Sequence, residues 1–173
     1  MRFFLDTEFI ESGRHHPLQL ISIGIVAANG QEYYAVSSEF DPKSANAWVT
    51  EHVLPQLDYG VDWKPLAQIA FEVRDFVKHQ APDQPPEFWG YYADYDWVVF
   101  CQMFGTMMDL PQGYPMYCRD LRQWCDQMGK PCLPPQKSQE HNALNDARWN
   151  RSAWVFLNDL HVAETAAREM ELV

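Results

Sequence analysis

The chain has 173 residues, with 13 Lys and Arg against 24 Asp and Glu and a formal net charge of −11. That length suits one domain with a sizeable core, and the acidic balance argues against a protein that grips duplex nucleic acid by neutralising many phosphates. No stretch approaches the roughly 20 apolar residues of a membrane span, and the apolar opening before Asp6 is too short for a secretion signal.

In chain order, residues 2–8 are expected as a strand, followed by a turn at Glu11-Ser12-Gly13-Arg14. Residues 18–28 are an apolar, Ile-rich run that fits a central buried strand. Asn29-Gly30 is a strong hairpin signal, with residues 31–38 as the partner strand. A short helix is expected over 47–54, before Pro55. Residues 65–79 place Leu66, Ile69, Ala70, Val73, Phe76 and Val77 at helical spacing behind Pro65. The Pro-rich segment 81–86 leads to a fourth strand at 87–92 and an apolar helix over 95–108. A short fifth strand is expected at 116–118, then a helix over 120–128 and a loop at 130–139. A long helix over 142–158 and a separate terminal helix close the chain. This order predicts a mixed α/β domain with an antiparallel start and parallel crossovers. Pro131, Pro134 and Pro135 could mark a hinge, but too little chain remains for a second domain, so one domain is expected over 1–173.

Four cysteines, Cys101, Cys118, Cys125 and Cys132, form no CxxC pair and are expected to be free thiols in a cytoplasmic protein. Three of them are evenly spaced and could be imagined around zinc with His141. Structural zinc sites prefer ligand pairs about two to four residues apart, so no zinc is expected.

Three segments carry candidate chemistry. In Leu5-Asp6-Thr7-Glu8-Phe9, strand alternation puts Asp6 and Glu8 on one face and Leu5 and Thr7 on the other. Two neighbouring carboxylates repel unless one is protonated or a hard cation lies between them. In Ala93-Asp94-Tyr95-Asp96, both acids fall where a helix begins and its dipole favours negative charge. Asp94 is expected to cap that helix, and Asp96 to face the site. In His141-Asn142-Ala143-Leu144-Asn145-Asp146, the His and the Asp are about one and a half helical turns apart and can face one cleft. Each segment has an ordinary structural reading: a solvated strand end, helix capping, a surface histidine.

Together, the order and spacing of D-x-E, A-x-Y-D and H-x4-D resemble the three exonuclease motifs of the DnaQ-like superfamily with the DEDDh signature. The resemblance covers residues 3 to about 150. Within it, FLDTEF and YADYDW are most similar to small bacterial ribonuclease AS-like 3′-exoribonucleases, and similar also to oligoribonuclease and ribonuclease T. One departure is that Phe9-Ile10-Glu11 follows the first motif where many members have T-T-G or T-G-L.

The resemblance implies a ribonuclease H-like mixed five-stranded sheet flanked by helices. It implies that Asp6, Glu8, Asp96 and Asp146 hold two Mg²⁺ or Mn²⁺ ions about 4 Å apart, an oxygen-only ligand set that disfavours zinc. His141 would be the general base, a role suited to a side chain that titrates near neutrality. Thr7 and Phe9, beside the carboxylates, would meet the terminal nucleotide, although core packing is equally open for Phe9. Arg14, His15 and His16 could touch phosphate or simply be solvated. The expected activity is release of nucleoside monophosphates from a single-stranded 3′ end, with RNA favoured over DNA, a role in RNA processing or poly(A) degradation, and a homodimer. The alternatives are a 3′-5′ exodeoxyribonuclease, another metal-dependent phosphohydrolase, or a catalytically silent nucleic-acid-binding module.

Overall fold

The alternating and apolar patterns become a mixed sheet of five strands. The structure, a computed structural model, describes residues 1–171 except His15, Asp58, Val61 and Ser138, with Glu171 described by its backbone alone. Three antiparallel strands open the chain: β1 (Arg2–Ile10), β2 (Gln19–Ala27) and β3 (Glu32–Val36). β2 is buried at every position after the first, which is why its sequence is apolar without alternation. Gly30, at φ +90, and Asn29, whose Oδ1 accepts the Gln31 N–H at 3.1 Å, turn the chain into β3. The helices α1 (Ala47–His52), α2 (Leu66–Gln80), α3 (Asp94–Phe104), α4 (Leu121–Gln127) and α5 (Ala143–Glu171) follow, interleaved with β4 (Glu87–Gly90) and β5 (Arg119–Asp120). The strand order is β3-β2-β1-β4-β5, with β4 parallel to β1 and β5 parallel to β4.

One face of the sheet packs Phe3, Leu5, Ile23, Ile25 and Phe88 against Ile69, Val73 and Val77 of α2 and Phe100 of α3. The other face receives α5. Its buried positions Ala143, Ala147, Asn150, Ala153 and Leu157 run down one side at helical spacing, and the small size of the three alanines brings the helix close to the strands. The helix comes especially near at Gly24 of β2. A Cβ there would lie 2.2 Å from the Ala143 carbonyl oxygen. Asn150, fully buried, donates its Nδ2–H to the Leu5 carbonyl at 2.9 Å and ties the middle of α5 to β1.

Several boundaries differ from expectation, each for a local reason. β4 ends at Gly90 because Tyr92 adopts φ +56. α3 stops at Phe104 because Gly105 takes φ +119, and Thr106 then begins a separate 3₁₀ turn over Met107–Asp109. The fifth strand lies at Arg119–Asp120 rather than at 116–118, where it pairs with Trp89 and Gly90. The two expected C-terminal helices are one, since no Gly or Pro interrupts 143–171. Asp94 is exposed and does not cap α3; the N-cap is Ala93, with no side-chain cap bond. The Ala93 N–H is instead accepted by Asp120 Oδ2 at 2.8 Å, while Asp120 Oδ1 caps α4 through the Gln123 N–H at 2.8 Å.

Candidate active site

β1 and β4 pair only as far as Phe4 and Trp89. Beyond that point Asp96, in the first turn of α3, takes the place a neighbouring strand would have had. Its Oδ1 accepts the Thr7 N–H at 2.8 Å and the Thr7 hydroxyl at 2.6 Å. Both Thr7 donors are committed to Asp96, so this residue, expected to meet the terminal nucleotide, also positions a carboxylate. Asp6 and Glu8 point to the α5 face, as strand alternation requires. Because Gly24 lets the start of α5 settle on β2, Asp146 in the first turn of that helix comes down beside them.

Carboxylate oxygens of Asp6, Glu8 and Asp146 all lie within 4.8 Å of one another, the one such cluster of His, Cys, Asp and Glu among the described residues. The four cysteines are free and gather no such group. No Arg or Lys among the described residues forms an ion pair with Asp6, Glu8, Asp96 or Asp146.

Electrostatics record the strain. Burial, then the charges of Asp96, Glu8 and Asp146, holds the Asp6 carboxyl well above its ordinary range. Burial, with Asp146 and Asp96 nearby, pushes Glu8 up to about 8. Asp96 rises to about 6, chiefly through burial and against the two Thr7 hydrogen bonds. Asp146 is raised by burial against hydrogen bonds from the Gln136 side chain and the His141 N–H. Buried and half-buried, mutually repelling oxygens with no Arg or Lys paired to them among the described residues fit a hard divalent ion, and the absence of nitrogen or sulfur in the cluster favours Mg²⁺ or Mn²⁺.

His141 has a left-handed backbone, φ +65, and its N–H donates to Asp146 Oδ2 at 2.9 Å. It borders a cleft of about 490 Å³ together with Asp6 and Asp146. Tyr91, Trp149 and the segment Leu133–Gln136 form its walls, so Pro134 and Pro135, two of the three prolines expected as a possible hinge, line the cleft. Phe9 is half-buried, packed against the core and stacked on Tyr95 with ring centroids 5.7 Å apart and planes 5° from parallel. Arg14 and His16 are exposed, and His15 lies outside the described residues.

A profile of the 3′-5′ exoribonuclease Rv2179c-like domain family matches residues 1–157. The chain belongs to that family. Rv2179c of Mycobacterium tuberculosis H37Rv, named a 3′-5′ exoribonuclease, is 45% identical over 150 residues, covering 86% of this chain and 88% of its own. The like-named protein of strain CDC 1551 matches equally. Among solved structures, the nuclease domain of the DEDDh member 3′hExo bound to rAMP superposes with a TM-score of 0.56 at 12% identity, covering 92% of this chain and 91% of that one. Escherichia coli exonuclease I with a dT13 oligonucleotide gives 0.54 at 14% identity, covering 87% of this chain and 39% of that one. The fold is therefore the ribonuclease H-like fold of the DEDDh exonucleases, and the family is one of 3′-5′ exoribonucleases.

Sequence reasoning missed several contributors to the site. Gln136 and Asp120 carried no signal, because their partners Asp146 and Ala93 become neighbours only on folding. Gly24 did carry one: a lone glycine in an Ile-rich strand marks a close approach of another backbone. Trp48, which touches the His141 ring, was read only as part of a helix.

Proposed function

We propose that this exonuclease, one domain over residues 1–173, releases nucleoside monophosphates one at a time from the 3′ end of single-stranded RNA. Asp6, Glu8, Asp96 and Asp146 hold two divalent ions, Mg²⁺ or Mn²⁺, and His141 accepts the proton of the attacking water. The observation that carries this reading is the convergence of Asp6, Glu8 and Asp146 within 4.8 Å, with no Arg or Lys among the described residues paired to them. When bound, the ions supply positive charge that stabilises the phosphate in the transition state and the departing oxygen. The protein's own residues do the placing. Thr7 fixes one oxygen of Asp96, Gln136 and the His141 backbone fix Asp146, and Asn150 fastens α5 to β1. The parallel Phe9–Tyr95 pair, with Tyr95 49% exposed, offers a ring face to the terminal base.

A single-stranded end suits the charge of −11, because it asks little phosphate neutralisation of the protein beyond the ions themselves. The names of the M. tuberculosis relatives support RNA. The reading extends to a homodimer, for which Val155, Val162 and Met170 offer exposed apolar contacts on α5, and to a cytoplasmic setting, which suits four free thiols. No helix among the described residues is long and apolar enough to cross a membrane.

The test is digestion of 5′-labelled single-stranded RNA and DNA of one sequence with Mg²⁺. RNA is expected to shorten stepwise from its 3′ side, and faster than DNA. Faster DNA shortening would overturn the sugar preference, and internal fragments would overturn exonucleolytic action.

A further inference from the structure

We infer that Trp48 is a positioning residue for His141, fixing the orientation of its imidazole at the mouth of the carboxylate cluster by ring contact. The inference rests on the reading of His141 as proton acceptor. The backbone around His141 is already pinned. Its N–H is spent on Asp146, and the next residue, Asn142, accepts the Asn145 N–H at 3.2 Å and donates to the Gln56 carbonyl at 3.1 Å. The ring is a separate matter. Among the described residues none hydrogen-bonds to the imidazole; its ring contacts are to Trp48 and His52, and with Asp146 it interacts through charge. Trp48 meets it with centroids 4.7 Å apart and planes at 78°, and His52 stands perpendicular to it at 6.2 Å.

Trp48 and His52 act as one rigid block. They are four residues apart on α1, stacked with centroids 5.1 Å apart at 14°, and His52 Nδ1 lies 3.0 Å from the Trp48 carbonyl oxygen. The block is keyed to the catalytic strand. Val49 of α1 and the adjoining Val53 are buried in a cluster with Ile21 and with Ile10, two residues beyond Glu8 on β1. An imidazole without a hydrogen-bonded partner would otherwise sample several rotamers, and a T-shaped contact with a large indole selects one. Trp48 is 49% exposed, so the fold does not depend on its burial and its replacement is tolerable.

The experiment compares wild type with Trp48→Leu, Trp48→Phe and His141→Ala. The readings are kcat and KM on single-stranded RNA, Mn²⁺ affinity, unfolding temperature, and the imidazole carbon-bound proton resonances of the metal-free protein. The His141 resonances are assigned by their loss in His141→Ala. Trp48→Leu is expected to lower kcat by roughly tenfold or more while KM, Mn²⁺ affinity and unfolding temperature hold. Trp48→Phe should recover most of the loss. The indole ring current displaces the His141 resonances in wild type, and that displacement should collapse in Trp48→Leu. A raised KM with unchanged kcat and unmoved resonances would overturn the inference and make Trp48 a base-stacking surface for substrate. Wild-type turnover in His141→Ala would instead overturn the role of His141 itself, while the resonances would still report whether the Trp48 contact exists.

Discussion

Asp96 and Glu8 show how differently two carboxylates of one site are held. Asp96 rises to about 6, restrained by two hydrogen bonds from Thr7, whereas Glu8 has no such support and reaches about 8. Thr7→Val keeps the backbone donor and the shape but deletes the hydroxyl. It is expected to raise the Asp96 pKa further, read by carboxyl-carbon NMR, and to weaken Mn²⁺ binding by roughly tenfold or more. His141→Ala is expected to retain Mn²⁺ binding and to lose roughly 10²–10⁴-fold in kcat, measured on single-stranded RNA. At this scale the sequence was legible where chemistry follows local geometry. Alternation along β1 is enough to put Asp6 and Glu8 on one face. The Thr7–Asp96 pair was not legible, because it joins residues 89 positions apart where β1 and β4 separate.

Among the elements, α5 is the one whose placement makes the site. Its small buried face and the missing Cβ at Gly24 let it lie close enough for Asp146 to join Asp6 and Glu8. Gly24→Ala would drive a methyl into the Ala143 carbonyl, a backbone atom that cannot swing aside. The expected result is a destabilisation of about 1–3 kcal/mol in denaturant unfolding, together with a loss of Mn²⁺ affinity from displacement of Asp146. The strand order of types, the Asn29-Gly30 hairpin and the helical periodicity of α2 could be read from the chain because each is set by near neighbours. The ends of β4, α3 and β5 could not. They depend on left-handed backbones at Tyr92 and Gly105 and on a β5 of only two residues, whose pairing with β4 is a tertiary event.

For the whole molecule, the cluster links folding, pH and metal. A carboxyl whose pKa is raised on folding binds its proton more tightly in the native than in the unfolded state. Stability therefore falls as pH rises from the ordinary value through the folded one, here from 4.5 to about 8 for Glu8, and changes little from this group outside that window. Asp6, Asp96 and Asp146 act in the same direction, and the net charge of −11 adds general repulsion. The unfolding temperature of the metal-free protein is expected to drop across that range. Mg²⁺ or Mn²⁺ should restore it most strongly at the alkaline end, since ions bind the ionised carboxylates. A metal-free unfolding temperature that rose between pH 5 and about pH 8 would contradict this reading of the buried carboxylates.

The assignments of Asp6, Glu8, Asp96 and Asp146 all stand on one point, that the clustered carboxylates are a metal site. Isothermal titration of Mn²⁺ into the metal-free protein, beside Asp6→Asn, tests it most directly. Two ions per chain in wild type, with binding largely lost in the variant, is the expected result. No binding in wild type, or binding undiminished by Asp6→Asn, would contradict it.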